Sequence, residues 1–188
     1  PIGYWVSNKM IEHFINDPSL DKVADLRSGI STGDNDRFYR CWFECNINKI
    51  SPNHNYTPFN SNYRWFKIIR GGTFRKWYGC CDNVLNLENS CYEIKNSGLN
   101  HRLRTADYYT KLGITWNRIS SGQLGFRLKS KDFNFGENSP CMFLFNGEDN
   151  LYTLLAVLNC KCIGVILQSL NPTLSNQVAD LLKLPITT

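Results

Sequence analysis

The sequence predicts a mixed α+β fold, with a mainly antiparallel sheet in its first two-thirds and core helices in its last third. Two patterns lead to this prediction: short alternating runs of apolar and polar residues fill 21–148, whereas apolar residues in 149–188 recur every three or four positions. With 188 residues, of which 42% are hydrophobic, the chain is long enough to bury a core. We therefore predict a single domain over 1–188, beginning with a helical part in 1–20.

A short helix is expected at the start of the chain. Apolar residues recur at near-helical spacing over 5–15, Ser7 is a suitable N-cap, and Asp17-Pro18 is a typical stop signal. The chain begins at Pro1 rather than at a methionine, and we expect it to be a segment of a longer protein.

Strands are predicted in the part that follows. Residues 23–30 and 38–45 alternate on either side of the turn-rich segment 29–38, GISTGDNDRF. Residues 46–61 are rich in asparagine and contain two prolines, a composition that favours a loop.

The middle of the chain combines aromatic residues with cations. Over 63–80 this pattern predicts two strand-like pieces, with the Gly71-Gly72 pair as the turn between them. A short strand is predicted over 83–87, and the polar segment 88–100 is expected to form turns.

A hairpin and several helices complete the prediction. A helical turn is expected in 105–112, alternation over 114–128 predicts a hairpin, and 143–145 is a short strand. Apolar residues at helical spacing predict one long helix or two consecutive helices over 149–170, and a further turn of helix over 177–182.

The most apolar region does not have the pattern of a membrane span. Residues 151–170 are interrupted by Asn159, Lys161 and Gln168, which favours a buried helix. The start of the chain also lacks the basic, apolar and small-residue parts of a signal peptide. We therefore expect a soluble, cytoplasmic protein without a membrane partner.

The eight cysteines lack the spacing typical of a zinc site. No pair of CxxC motifs is present, and the three histidines are distant in sequence from every cysteine pair. We predict no metal and expect small buried thiols in a reducing compartment. The closest pairs are Cys80 and Cys81, Cys160 and Cys162, and Cys41 and Cys45.

Positive charge is concentrated in the middle of the chain. The net charge is +5, but 64–131 holds thirteen cations against four acids, which gives +9 there and −4 elsewhere. Such a distribution is typical of a surface that meets phosphates, although a solvated face gives the same pattern. The cations are Arg64, Lys67, Arg70, Arg75, Lys76, Lys95, Arg102, Arg104, Lys111, Arg118, Arg127, Lys129 and Lys131.

Motifs of common catalytic sites are missing. The segment GGTFRKWYG (71–79) lacks the glycine spacing of a nucleotide-binding turn. The segment NPTL (171–174) lacks the second proline and the aromatic ring with which amino-methyltransferases hold adenine. No serine has the glycine pattern of a nucleophile elbow. We therefore predict no catalytic residue within this chain.

Five segments, taken in order, resemble the C-terminal half of the PglX family, the adenine-N6 DNA methyltransferases of BREX phage-defence systems. The last of them also resembles the end of target-recognition domains in type I restriction specificity subunits and in fused restriction-modification enzymes. The segments are YWVSNKMIEHF (4–14), GISTGDNDRFYRCWFE (29–44), GGTFRKWYG (71–79), YYTKLGITWNRISSGQLGFR (108–127) and LLAVLNCKCIGVILQSLNPTLSNQVADLLKLPI (154–186).

The resemblance implies a target-recognition-like fold that reads double-stranded DNA. It also implies a methyltransferase domain in a preceding part of the same protein, which binds S-adenosyl-L-methionine and methylates a flipped adenine. No cofactor is expected in this segment, and other defence proteins are further expected partners. The sequence departs from the family pattern at Cys80-Cys81 and Ser90-Cys91.

Fourteen residues are candidates for DNA contact. Arginines suit phosphates and guanine edges, amide side chains suit adenine, and a carboxylate accepts from cytosine. The candidates are Thr32, Asp34, Asn35, Arg37, Arg75, Lys76, Tyr78, Arg102, Arg104, Asn117, Ser120, Ser121, Gln123 and Arg127.

Several candidates also have a purely structural interpretation. Asp34 and Asn35 are suited to capping a turn, and Arg37 to an internal ion pair. Trp116 is suited to the core as well as to stacking on DNA. The small residues at the predicted hairpin tip, Ser120 among them, suit either a plain turn or close approach to a DNA backbone.

Two alternative functions belong to different classes. Asp82, Glu93 and Lys95 contain the acidic residues and the lysine of a metal-dependent nuclease, although a Glu-x-Lys sequence is common by chance. Alternatively, the aromatic residues form the docking surface of a protein-interaction module within the same defence system.

Overall fold

The computed structural model of the chain describes residues 6–103 and 106–186. Its described part contains helices and strands in a mixed order, which confirms the predicted α+β class. The helices are α1 (Asn8–Asn16), α2 (Asn35–Phe38), α3 (Glu88–Lys95), α4 (Leu151–Leu158), α5 (Lys161–Leu170) and α6 (Val178–Leu181). The strands are β1 (Ala24–Arg27), β2 (Tyr39–Cys41), β3 (Trp65–Ile69), β4 (Asn83–Asn86), β5 (Gly113–Trp116), β6 (Phe126–Lys129), β7 (Asn134–Phe135) and β8 (Cys141–Leu144). Short 3-10 helices cover Leu20–Lys22, Trp42–Glu44, Ile47–Lys49 and Ala106–Tyr108.

The first sheet is entirely antiparallel and has the order β1-β8-β5-β6. The pairing of β5 with β6 confirms the predicted hairpin, and it places Ile114 opposite Leu128. Strand β6 lies at the edge of this sheet, so the backbone groups on its outer side can bond with other parts of the chain.

The second sheet has the order β2-β4-β3-β7 and is antiparallel except for the parallel pair β3–β7. The prediction of a second strand within 63–80 is wrong, because 70–82 forms a loop. Within this loop Trp77 alone makes a β-bridge, and its partner is Arg127. The turn-prone segment 88–100 contains helix α3, and its residues 89–91 have positive φ.

The last third of the chain folds as two consecutive helices, α4 and α5, separated by Asn159 and Cys160. Their apolar faces pack with the first sheet in one hydrophobic core. Trp116 is fully buried in that core, and its indole N–H donates to the Asn176 carbonyl at 3.0 Å, which confirms the core interpretation of this residue. A second core, around Phe38, Phe66 and Phe135, includes residues of the second sheet.

The N-terminal helix agrees with its predicted caps. The Ser7 side chain accepts a hydrogen bond from the Met10 backbone N–H at 3.3 Å, and Asp17 is the C-cap. Among the described residues no single helix is long and apolar enough to cross a bilayer. Helices α4 and α5 have the required length and apolar character only when they are counted together, and they are bent by 68° relative to each other.

Asn159 joins the helices to the edge of the first sheet. Its side-chain carbonyl accepts from the Phe126 N–H at 3.0 Å, and its side-chain N–H donates to the Phe126 carbonyl at 2.9 Å. The side chain also donates to the Leu155 carbonyl at 3.1 Å. Because Asn159 and Phe126 are both buried, water does not replace these bonds easily.

The Asn159→Ala substitution should therefore lower the free energy of unfolding by about 1–3 kcal/mol, since it removes the acceptor of the buried Phe126 N–H, whereas the Phe126 carbonyl keeps the Trp77 N–H as a donor. Urea denaturation followed by circular dichroism measures the change. Asn96→Ala is the control, because the exposed Asn96 side chain bonds to the Tyr92 carbonyl and to no other group in 6–103 and 106–186, and a change within about 0.5 kcal/mol is expected. Equal losses in the two variants would contradict the joining role of Asn159.

Candidate nucleic-acid interface

The cations of the basic region fall into different environments, and they do not all lie on one face. Arg104 lies outside the described residues. Arg127 and Lys129 are fully buried, and Arg64, Arg102, Arg118 and Lys131 pair with carboxylates. Six cations of this region have no ion pair with a described carboxylate. They are Lys67, Arg70, Arg75, Lys76, Lys95 and Lys111.

Two of these six cations belong to an irregular segment, residues 71–82, which we call the 71–82 loop. The Trp77 backbone N–H donates to the Phe126 carbonyl at 2.8 Å, and the Trp77 carbonyl accepts from the Leu128 N–H at 2.9 Å. The backbone of Trp77 has φ of 73°, a left-handed conformation that is rare for a tryptophan. The loop is thus held along the free edge of β6 at a single strained residue.

Buried polar groups support the loop from beneath. The Arg127 Nη2 donates to the Asn117 Oδ1 at 2.8 Å, and the Asn117 Nδ2 donates to the Gly72 carbonyl at 2.7 Å. Arg127 is 0% exposed and Asn117 is 6% exposed. The structure therefore corrects the prediction that these two residues contact DNA, because neither side chain reaches the surface; both position the loop.

The charge of Arg127 is held at a considerable desolvation cost. Its Nε and Nη1 atoms have no hydrogen-bond partner among the described residues, and burial lowers the pKa of the guanidinium. Burying such a cation costs free energy. Its hydrogen bond to Asn117 is therefore important for keeping the guanidinium in place.

Lys129, on the same strand, is a second buried cation. Its Nζ donates to the carbonyls of Tyr109 and Lys111 at 2.7 Å and 2.6 Å. It also lies about 6 Å from the ring centres of Phe135 and Phe143. Burial lowers the pKa of Lys129 to about 8.

One side of the 71–82 loop borders a cleft of about 540 Å³, which we call the first cleft. Arg75 and Tyr78 of the loop line it, together with Lys67 of β3. Trp42, which follows β2, closes it from another side. Cations, aromatic rings and the Asp82 carboxylate thus meet in one cleft.

The other side of the loop borders a second cleft of about 480 Å³. Lys76 lines it, and its Nζ donates to the Asn159 carbonyl at 2.8 Å. The predicted hairpin-tip residues Ser120, Ser121 and Gln123 line it as well, with Lys161 from the start of α5. The structure therefore brings six of the predicted contact residues into two clefts that share one loop: Arg75, Tyr78, Lys76, Ser120, Ser121 and Gln123.

The GISTGDNDRF turn has mainly structural bonds. Asp34 is the N-cap of α2 and accepts from the Arg37 N–H at 3.0 Å, which confirms the capping interpretation. Thr32 is 1% exposed and its hydroxyl donates to the Asn35 side-chain carbonyl at 3.1 Å, so Thr32 is not placed for DNA contact. Arg37 is exposed, and its guanidinium lies 5.0 Å from the Phe38 ring centre without an ion pair to a described carboxylate.

Glu137 forms ion pairs with two arginines of the basic region. It lies 3.6 Å from the Arg102 Nη2 and 2.9 Å from the Arg118 Nη1. Partial burial raises the pKa of Glu137, but a hydrogen bond with Ser31 and the two arginines outweigh burial and lower it. Arg102 remains exposed, but it has a carboxylate partner and lies in neither cleft.

The residues of the nuclease alternative do not share a site. Asp82 lines the first cleft, Glu93 lies 3.6 Å from Arg64, and Lys95 lies over the Phe59 ring. Over residues 6–103 and 106–186 there is no group of three His, Cys, Asp or Glu side chains arranged to hold a metal ion. The geometry therefore gives no support to metal-dependent cleavage.

Sequence reasoning missed Trp42, Lys67 and Lys161 as cleft residues. Trp42 was expected to lie within a strand, and so was Lys67, four residues before the loop. Lys161 is separated from the loop by a long stretch of chain. Only their residue types, a tryptophan and two lysines, could have indicated a role.

The fold and the clefts together describe an α+β module whose surface offers cations, aromatic rings, hydroxyls and amides for binding. No protein-family model matches the chain. The chain is 32% identical over 187 residues to the adenine-specific methyltransferase BrxX of Escherichia coli O9:H4 (strain HS), covering 99% of the chain and 15% of that protein. It is 33% identical over 193 residues to the adenine-specific methyltransferase PglX of Lacticaseibacillus casei (strain Zhang), covering 99% of the chain and 16% of that protein.

The chain is therefore homologous to one segment of the BrxX and PglX adenine-specific methyltransferases, which confirms the family resemblance. It spans about 15% of the length of these curated relatives.

Arg127→Met should loosen the 71–82 loop, because Asn117 then loses the donor that orients its amide toward Gly72. We expect hydrogen exchange of the Trp77 N–H and its neighbours to accelerate by more than the change in global stability explains. Arg118→Met is the matched control, since Arg118 is close by in sequence but pairs with Glu137 and should leave exchange in the loop unchanged. Unaltered exchange in Arg127→Met would show that Arg127 does not position the loop.

Lys129 should make stability depend on pH in the alkaline range. Its folded-state pKa of about 8 is below the ordinary value of 10.5, so between these values the unfolded chain binds more protons and this group's contribution to stability rises with pH. Below pH 8 lysine is protonated in both states and this dependence disappears. Urea denaturation at pH 7 and pH 9.5 should therefore show the wild type gaining stability relative to Lys129→Met at the higher pH. A constant difference would contradict the lowered pKa.

Proposed function

We propose that this chain recognises double-stranded DNA for an adenine-specific methyltransferase, using the 71–82 loop and the tip of the β5–β6 hairpin. The observation that carries the proposal is the pair of clefts on either side of the loop. Arg75 and Lys67 line one cleft and Lys76 and Lys161 the other, and none of the four pairs with a described carboxylate. Unpaired cations are the groups that displace counterions from a duplex.

Polar side chains beside these cations suit the reading of bases. Gln123 at the hairpin tip is exposed and has the donor and acceptor that adenine requires. Ser120 and Ser121 add small hydroxyl groups, of which the Ser120 hydroxyl donates to the Gln123 carbonyl at 3.3 Å and shapes the tip. The division between phosphate-holding lysines and base-reading tip residues is that of a DNA-recognition module.

The relatives supply the chemistry that this proposal assigns elsewhere. Both are named adenine-specific methyltransferases, and most of their length lies outside the matched segment. In our proposal that remaining length binds S-adenosyl-L-methionine and transfers the methyl group in the cytoplasm, while this segment selects the DNA site. Proteins of the same phage-defence system are further proposed partners.

A protein-interaction surface is the second candidate function. Trp42, Phe43 and Ile47 are 49%, 68% and 66% exposed, and the first two form an edge-to-face pair with ring centres 5.8 Å apart. Exposed apolar groups this close in sequence favour contact with another protein. This candidate predicts binding that salt weakens only slightly.

Duplex affinity of the purified chain should fall steeply as salt rises. Arg75→Ala and Lys76→Ala should each reduce the slope of log K against log salt by about one unit or less, because each removes one phosphate contact. Fluorescence anisotropy with a labelled duplex measures the slope. Lys95→Ala is the control, since Lys95 has no described carboxylate partner but lines neither cleft, and the slope should stay unchanged. Absent or salt-independent binding would favour the protein-interaction surface instead.

A further inference from the structure

We propose that the first cleft holds a single unstacked nucleobase of the bound DNA, preferably one with an exocyclic amino group. This proposal rests on the proposed DNA-recognition function and adds a specific ligand site to it. The cleft volume of about 540 Å³ is within the range of roughly 300–1,000 Å³ typical of sites for small ligands.

Two aromatic side chains give the cleft surfaces on which a base can stack. Trp42 and Tyr78 line it from different segments of the chain, and they are 49% and 66% exposed. Their backbones belong to one bonded unit, because the Trp42 N–H donates to the carbonyl of Asp82, at the end of the 71–82 loop, at 3.0 Å. Stacking of an unpaired base on an aromatic ring is favourable for any base, since every base presents a π-face.

Two cations are placed for the phosphates on either side of such a base. Lys67 donates to the Pro52 carbonyl at 2.9 Å, which fixes its Nζ at the cleft while leaving two of its three N–H groups for a ligand. Arg75 is exposed, lines the same cleft, and has no described carboxylate partner. A nucleotide removed from the base stack brings its own phosphates into reach of such groups.

Asp82 gives the cleft a preference among bases. Its side chain is exposed at the cleft and makes no ion pair with a described cation. A carboxylate repels phosphates but accepts hydrogen bonds from the amino groups of adenine and cytosine, whereas thymine has no amino group. The combination of aromatic rings, cations and one acceptor therefore fits a whole nucleotide better than it fits free phosphate or an apolar peptide.

The test compares a fully paired duplex with the same duplex carrying one additional unpaired adenine. The intact chain should bind the second about fivefold more tightly or better, because only the unpaired base reaches the cleft without breaking a base pair. Fluorescence anisotropy at fixed salt measures both affinities. Tyr78→Ala and Trp42→Ala should each remove most of the preference, which is measured as the ratio of the same variant's affinities for the two duplexes.

Tyr92→Ala is the matched control, since Tyr92 is 62% exposed on α3, and Tyr78 has nearly the same exposure. Its preference should equal that of the wild type. Circular dichroism confirms that each variant is folded. Equal affinity of the wild type for the two duplexes, or a preference that survives Tyr78→Ala, would overturn the nucleobase site while leaving duplex recognition intact. Failure to bind either duplex would refute the proposed function and this site with it.

The role of Asp82 is tested with unpaired adenine, cytosine and thymine in the same duplex. The wild type should favour adenine and cytosine over thymine, and Asp82→Asn should reduce this difference by about threefold or more, since an amide can also donate to a thymine carbonyl. Identical selectivity in the wild type and in Asp82→Asn would overturn the preference for an amino group.

Discussion

The architecture of the candidate interface depends on a buried guanidinium. Arg127 has no access to solvent, and its direct hydrogen bond to Asn117 begins a chain of contacts that ends at the Gly72 carbonyl. Burying a cation without a carboxylate is costly, so the surrounding packing must overcompensate for it. These contacts fix the backbone of the irregular 71–82 loop. The loop has no regular strand pairing apart from the two hydrogen bonds of Trp77 to the edge of β6.

This support explains how one loop can serve two clefts. Gly72 and Trp77 are fixed against the first sheet, so the residues between and after them project to opposite sides. Arg75 and Tyr78 line one cleft, and Lys76 lines the other. A free edge strand is usually a liability for aggregation, and here the loop covers it.

Periodicity predicted the β5–β6 hairpin and the helices of the last third, because their apolar positions face one core. It failed for Arg127 and Lys129, whose alternation with Phe126 and Leu128 indicated an outward face. Both outward positions are covered by distant segments: the 71–82 loop lies against Arg127, and the carbonyls of Tyr109 and Lys111 receive Lys129. Strand alternation reports which face is apolar, but it contains no information about loops that later cover the polar face.

The candidate site was predicted only in part for the same reason. The loop and hairpin-tip residues were found from composition, whereas the meeting of Trp42, Lys67 and Arg75 in one cleft is set by the order of strands in the second sheet. The strand expected after Gly72 is reduced to one bridge at Trp77, because the left-handed backbone at Trp77 and Cys80 interrupts an extended run of residues. Asp34 illustrates the opposite case, in which local capping chemistry was readable directly from the turn sequence.

The bonds that hold the loop have a consequence for its variability. They use main-chain groups of Gly72 and Trp77, whereas the side chains of Phe74, Arg75 and Tyr78 are exposed and take no part in them. Mutational drift at these three positions can therefore alter which ligand is preferred without disturbing the scaffold beneath. Substitutions at Arg127 or Asn117 would remove the buried bonds that support the loop. The exposed positions can therefore vary more readily than these two buried ones.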